Sequence, residues 1–236
     1  MISIDVKTRL GAFTLDAQIE TGDDNRTLAL FGRSGCGKTS LVNTVAGLLR
    51  PDHGRIVIGQ DVLLDSQAGI EMPAHERRIG YVFQEGRLFP HLSVAQNVGL
   101  GLRADLRLSD EQRGRVTQVL RDVGLPDLAQ RRPANLSGGQ QGRVALARVL
   151  LRARPILLLD EPFSALGPAL KSDMLRLLDR IATQTGATVL MVTHDPQDAR
   201  HFAPATIVID KGVAHSPVET GPLLDHPPPG LKAYLG

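Results

Sequence analysis

LALFGRSGCGKTS, residues Leu28 to Ser40, joins a four-residue apolar run to a glycine-rich turn that ends in Lys38, Thr39 and Ser40. The run Leu28 to Phe31 predicts a buried strand, and the G-x-x-x-x-G-K-T spacing behind it predicts a phosphate loop. Gly32, Gly35 and Gly37 permit backbone angles that a Cβ forbids. Successive N–H groups can therefore face a polyphosphate from the turn and from the N-terminus of the next helix. In that arrangement Lys38 reaches the β- and γ-phosphates and Thr39 holds Mg²⁺. Cys36, the single cysteine, is small enough for a tight loop. A helix N-terminus lowers a thiol pKa, so alkylation of Cys36 is expected to block turnover, with nucleotide protecting it.

Outward from this stretch, Ile2, Ile4 and Val6, and then Phe13, Leu15, Ala17 and Ile19, alternate with polar residues and predict two half-buried antiparallel strands. A turn at Thr21 to Asp24 leads into the Leu28 strand. Behind the loop, Leu41, Val42, Val45, Leu48 and Leu49 recur at helical spacing until Arg50-Pro51 closes the helix. His53 to Leu64 reads as a strand pair about Gly59, and Ile79 to Phe83 as a second buried strand ending in Gln84. Further strands are expected at Ile156 to Leu159, Thr188 to Thr193 and Ile207 to Ile209, with an amphipathic helix over Leu170 to Ile181. The proline-rich tail leaves room for a short helix at most. From Glu85 to about Ala153 helical periodicity dominates and lysine is absent. Strands alternating with helices around a helical insertion indicate an α/β core carrying an α-helical subdomain.

Composition limits the functions. Net charge is +2, tryptophan is absent and aromatics make up 3%, which argues against base-stacking surfaces. Twelve arginines against six acids between Glu85 and Arg154 give a local excess of +6, but no aromatics interleave a basic block. That excess reads as a solvated helical face, and no nucleic-acid partner is expected. One cysteine allows no intramolecular disulfide. No apolar run approaches the roughly 20 residues of a spanning helix, and no apolar signal region follows the N-terminus. A membrane role is expected to go through a partner.

Four further places carry chemistry. Asp160 and Glu161 close the Ile156 strand, where open α/β sheets put their ligands. Asp160 suits Mg²⁺, and Glu161 suits orienting or deprotonating an attacking water. Gln84, at its own strand end, can touch metal or water. His194, just past the Thr188 strand, can contact a γ-phosphate as a neutral imidazole. In Leu136-Ser137-Gly138-Gly139-Gln140, Ser137 predicts an N-cap and the two glycines leave bare N–H groups at a positive dipole end. Two distant anion sites cannot serve one triphosphate within a single chain, whereas two chains arranged head to tail can.

With these residues in view, essentially the whole chain resembles the ATP-binding subunit of ABC transporters. Gly32, Arg33, Ser34, Gly35, Cys36, Gly37, Lys38, Thr39 and Ser40 look like the Walker A loop, ILLLDE the Walker B strand, and LSGGQ, with Ser137, Gly138, Gly139 and Gln140, the family signature. Gln84 looks like the Q-loop residue and His194 the switch histidine. GKTSLVNTVAGLLRP and RRIGYVFQEGRLFPHLSV are similar to the molybdate-importer group. The resemblance implies an α/β fold: a P-loop NTPase (RecA-like) core with an antiparallel β subdomain and an inserted α-helical subdomain. On this basis residues 1–84 and 155–212 form the catalytic core, 85–154 the signature subdomain and 213–236 a tail. It implies a homodimer that sandwiches ATP and Mg²⁺, with Lys38, Thr39 and Asp160 of one copy facing Ser137, Gly138 and Gly139 of the other. Its partners would be integral membrane permease subunits with a substrate-binding protein, at the cytoplasmic face of the inner membrane. The metal would be held by Thr39, Gln84 and Asp160, with Glu161 as base and His194 as γ-phosphate sensor. The coupling helix of the permease would dock after Gln84.

The chain departs from the family in places. Gly167 stands where the family carries an aspartate that couples the two sites. Gly142 gives QQGR in place of QQQR, at about 1 kcal/mol against alanine inside a helix. Phe13 is the aromatic available for adenine stacking, and its alternation with Leu15 favours core packing. A C-terminal regulatory β-domain, common in this group, is not expected before Gly236. Molybdate or a similar oxyanion is the expected cargo, with thiamine, iron or polyamine as alternatives. A non-hydrolysing regulator rests on Gly167 alone. Relatives acting on chromosomes or ribosomes carry coiled coils or tandem units not found here, and exporters are commonly fused to a membrane domain.

Overall fold

The structure, a computed structural model, describes residues 1–22, 26–228 and 231–232. Two compact units divide the chain, one of Met1–Ile79 with Thr188–Gly236, the other of Gly80–Ala187.

The first unit opens with β1 (Ile2–Leu10) and β2 (Phe13–Glu20), paired antiparallel, whose alternate residues Ile4, Val6, Leu15 and Ala17 are buried. The expected turn at Thr21 to Asp24 lies partly outside the described residues. Strand β3 (Thr27–Phe31) is apolar on both faces, and Leu28 to Phe31 are wholly buried. Each such side chain contributes roughly 1.5–3 kcal/mol by leaving water. Helix α1 (Lys38–Ala46) follows the phosphate loop. It stops earlier than the apolar spacing predicts, because Gly47 takes a left-handed cap and the N–H groups of Gly47 and Leu48 turn back to Thr44 and Asn43. Leu48 is consequently exposed. Arg77, 4% exposed, completes this end by donating to the Thr44 and Val45 carbonyls. Strands β4 (His53–Ile58), β5 (Asp61–Asp65) and β6 (Ile70–Glu71) extend the antiparallel part, β4 pairing with β1.

The second unit begins at Gly80, within β7 (Ile79–Val82). Helix formation starts later than the composition suggests: residues 84–93 form a loop, and α2 spans Val94–Gly99. Asn97, fully buried, holds that loop by accepting from the Phe89 amide and donating to the carbonyls of Phe89, Leu92 and Ser93. Helices α3 (Asp110–Asp122) and α4 (Gly138–Arg152) pack on α2 and on each other. Each of the three opens with the same Ser-x-x-Gln capping box, Ser93 with Gln96, Ser109 with Gln112 and Ser137 with Gln140. Strand β8 (Ile156–Asp160) is buried along its whole length, and α5 (Pro168–Thr185) follows, longer at both ends than its predicted core.

The chain then returns to the first unit through β9 (Thr188–Thr193), α6 (Pro196–Phe202), β10 (Ala205–Asp210), β11 (Val213–Ala214), β12 (Val218–Glu219) and α7 (Thr220–Asp225). Here β3 lies between β9 and β10, parallel to both, while β11 pairs with β10 and with β2 and so joins the parallel strands to the antiparallel ones. Among the described residues no helix is long and apolar enough to cross a membrane.

Candidate functional site

In the first unit the phosphate loop and His194 leave the same end of neighbouring strands. Phe31 of β3 lies opposite Thr193 of β9, so Gly32 and His194 are the next residues out. The Thr193 hydroxyl donates to the buried Asp198 carboxylate at 3.2 Å and accepts from the Asp195 amide at 3.0 Å. These bonds fix the turn on which His194 stands exposed. Asp198 escaped sequence reasoning, although an acid in the first turn of a helix capped by Asp195 was a usable signal.

Lys38 is 6% exposed, and its ammonium donates to the carbonyls of Gly32 at 2.7 Å and Arg33 at 2.9 Å. The cation closes the loop into a ring from which Arg33, Ser34, Gly35 and Thr39 face solvent, with Ser40 half-buried. Gly37 caps α1 at φ 110°, and the Phe13 ring lies across it, since a Cβ at Gly37 would stand 2.8 Å from Phe13 Cζ. Phe13 thus packs on the backbone of the loop. The expected activation of Cys36 is corrected by its burial. The thiol precedes the helix, is 6% exposed, and has its pKa pushed up by desolvation, which outweighs the opposing pull of Lys38.

In the second unit Asp160, 4% exposed, ends β8. Glu161 follows with a left-handed backbone at φ 45°, uncommon for a side chain with a Cβ and frequent where a site over-determines the chain. Its carbonyl accepts from the amide and hydroxyl of Ser164, closing the turn. The Gln84 amide donates to Glu161 Oε2 at 3.5 Å, bringing two sequence-predicted residues together. Tyr81, which sequence reasoning passed over, has its hydroxyl pKa raised, chiefly by burial and then by the Asp160 carboxylate. It stacks on Phe83 with ring centroids 3.9 Å apart.

Ser137 caps α4 as expected. Its hydroxyl accepts from the Gln140 amide at 3.3 Å, and the Gln140 side chain accepts from the Ser137 amide at 2.9 Å. Gln140 is therefore committed to the cap, while Ser137 and Gly138 are exposed. Gly139 has a packing reason: a Cβ there would come within 2.9 Å of the Ala165 carbonyl, in the segment that follows Glu161. Among the described residues no cluster of three or more His, Cys, Asp or Glu side chains could hold a metal. Hard oxygen donors of the kind Mg²⁺ takes stand in each unit separately, the Thr39 hydroxyl in the first and the Asp160 carboxylate and Gln84 amide oxygen in the second.

In the first unit a phosphate loop follows a strand parallel to both its neighbours, and in the second a buried acid and a glutamate follow a wholly buried strand; these are the features of a P-loop nucleotide-binding protein. The chain belongs to the ABC transporter family, whose sequence profile matches residues 17–164. It is similar to the thiamine import ATP-binding protein ThiQ of Cereibacter sphaeroides, 52% identical over 229 residues that cover 97% of this chain and 96% of the relative. It is also similar to the molybdenum import ATP-binding protein ModC of Paramagnetospirillum magneticum, 43% identical over 238 residues that cover 100% of this chain and 63% of the relative. A dimeric ATP-binding cassette, solved in a post-hydrolysis state with ADP and Pi, matches at a TM-score of 0.80 and 30% identity, covering 93% of this chain and 99% of its own. The fold is that of the ABC cassette, an α/β P-loop NTPase, and the chain is an ABC-type ATPase coupled to transport.

Proposed function

We propose that this chain is the ATP-binding subunit of an ABC importer, hydrolysing Mg-ATP in a head-to-tail homodimer to drive a membrane permease fed by a substrate-binding protein. One observation carries the reading. The chain has two helix starts whose first N–H groups suit an anion, one at Lys38 behind the glycine loop with no side-chain cap and one at the exposed, capped start of α4. The dimeric state of the similar cassette supports pairing of the two across copies. Lys38, with the loop amides of Gly32 to Ser40, holds the β- and γ-phosphates. Thr39, Asp160 and Gln84 hold the metal, which when bound neutralises charge on the phosphates. Glu161 orients and deprotonates water, and His194 contacts the γ-phosphate. Ser137, Gly138 and Gly139 of the second copy close the site, Gln140 supporting them through the cap. Residues 1–84 and 155–212 act as the catalytic core, 85–154 as the signature part that receives the permease, and 213–236 as a tail. The subunit sits peripherally at the cytoplasmic face of the membrane.

The cargo we favour is thiamine, on the 52% identity to ThiQ. Molybdate is the second reading, favoured by the 43% identity to ModC across this whole chain. Purified protein should hydrolyse Mg-ATP and Glu161→Gln should not; equal background rates in both would overturn the enzyme reading. For the cargo, uptake of labelled thiamine should fall in cells lacking this chain while molybdate uptake stands, and the reverse would move the assignment to molybdate.

A further inference from the structure

Beyond Gln84 the backbone makes two consecutive left-handed residues, Gly86 at φ 69° and Arg87 at φ 42°. The conformation is natural for glycine and unfavourable for arginine, so something must hold it. Part of the hold is local: the Arg87 guanidinium lies 4.0 Å from the Phe83 ring centroid. The remainder comes from α4. Both carbonyls turn toward that helix, where Arg148 donates from Nη2 to Gly86 O at 3.3 Å and from Nη1 and Nη2 to Arg87 O at 3.2 Å each. Gly86 itself lies close on the helix, a Cβ there reaching the Gln141 carbonyl at 3.5 Å. Two residues upstream, Gln84 donates to Glu161. A continuous path therefore runs from the helix that begins at Ser137, through the Arg148 guanidinium and two backbone carbonyls, to Gln84 and Glu161.

We propose that Arg148 is a positioning residue for hydrolysis, which sets Gln84 against Glu161 by clamping the Gly86 and Arg87 carbonyls to α4. This rests on the roles given above to Gln84 and Glu161. It adds a physical connection between the signature helix and the loop beyond Gln84 that none of the family motifs supplies. Arg148 is half-buried, and its charge is partly desolvated where it meets the loop. The fork of donors on two adjacent carbonyls explains why the residue is arginine, since a lysine ammonium on a flexible stem cannot reproduce that fork.

The test uses the full chain as Arg148→Met, Arg148→Lys, Gln84→Ala and the Arg148→Met/Gln84→Ala double variant. Amide hydrogen exchange is followed over residues 84–90, where the Gly86 and Arg87 amides donate to the carbonyls of Phe83 and Glu85. Arg148→Met should speed exchange there by about tenfold while the amides of α4 keep their protection. It should also lower kcat by about tenfold with KM for ATP within about twofold. The double variant should turn over no more slowly than Gln84→Ala alone, because both act through one contact. Arg148→Lys should fall between, and it carries the test where the methionine variant fails to fold. Unchanged exchange over residues 84–90, or losses that multiply in the double variant, would overturn the proposal. A wild-type protein that does not hydrolyse ATP would sink the functional reading instead, and the exchange result would then judge Arg148 by itself.

Discussion

Replacing Arg77 by methionine removes one guanidinium that three parts of the first unit share. Its Nε donates to Met72 O at 2.8 Å, and its Nη1 to Thr44 O at 2.9 Å and Val45 O at 2.8 Å. The last two acceptors lie at the end of α1, where the helix dipole favours a cation, and Thr44 O accepts from the Gly47 amide as well. The Val45 and Met72 carbonyls lose their Arg77 donor at about 1–3 kcal/mol each, for a gross loss on the order of 4 kcal/mol. The opposing term is desolvation of the charge, which also holds the Arg77 pKa below the ordinary arginine value. Methionine keeps the apolar stem and escapes that penalty, worth several kcal/mol in a fully dry site and less here, so the net loss comes to about 2 kcal/mol. With an m-value of about 2–3 kcal/mol per molar, the urea midpoint should fall by roughly 0.7–1 M. The measurement belongs in nucleotide-free buffer, because ligand at 100 times its Kd adds about 2.7 kcal/mol to each protein and any difference in Kd would enter the comparison. Arg77→Lys should lie between, since one ammonium cannot span both Met72 and the helix end. A loss below about 0.5 kcal/mol for Arg77→Met would refute this account of how α1 is terminated.

Other outcomes follow from single positions. Gly142→Ala should raise stability by about 0.5–1 kcal/mol with turnover unchanged, because the added methyl meets the Pro162 carbonyl at an ordinary 3.6 Å; a lower urea midpoint would contradict it. Gly167→Asp should add between a few tenths and about 1 kcal/mol, since Gly167 caps α5 without a side-chain bond and has open space about it; an unchanged melting temperature would count against the cap. Cys36 should alkylate more slowly at pH 8 than a thiol in a short peptide, its pKa lying above the ordinary 9.0. The same shift has a sign for stability: above pH 9 the unfolded thiol ionises first, so folding weakens as pH rises. Equal alkylation rates in folded protein and peptide would show that burial does not protect the thiol.

Much of the architecture was legible because it rests on patterns that need no tertiary partner. The unbroken apolar run of β3, the glycine spacing behind it and the alternation in β1 and β2 each state their environment locally. The end of α1 was misjudged because Leu48 and Leu49 keep the helical period while Gly47 stops the helix, and a left-handed cap overrides periodicity. Residues 85–93 fall at the start of the stretch where helical periodicity dominates, yet they form a loop whose order comes from Asn97, a single buried amide with four backbone partners that composition cannot reveal. At the site, motif residues were visible as types at fixed spacing. Tyr81 and Arg148 were not, because each acts through a contact with residues distant in sequence, whereas Asp198, five residues from its partner Thr193, carried the local signal of an acid in a capped first turn. Reactivity at Cys36 was misjudged for a related reason: proximity to a helix start is sequence information, whereas burial is not.

Of the three identical caps in the second unit, α2 and α4 lack an acid in the first turn, and α4 alone follows its serine with two glycines. Where α3 begins, Asp110 and Glu111 answer the helix's positive pole from within the chain. Where α4 begins, the same serine and glutamine satisfy the same two donors, but the next two positions carry no side chains and no acid occupies the first turn. The pole is left uncompensated by the chain, and its scaffold is already paid for before any guest arrives. An anion brought there gains attraction without having to order the peptide that supplies it. The signature thus amounts to an ordinary helix start stripped of the groups that would have made it self-sufficient.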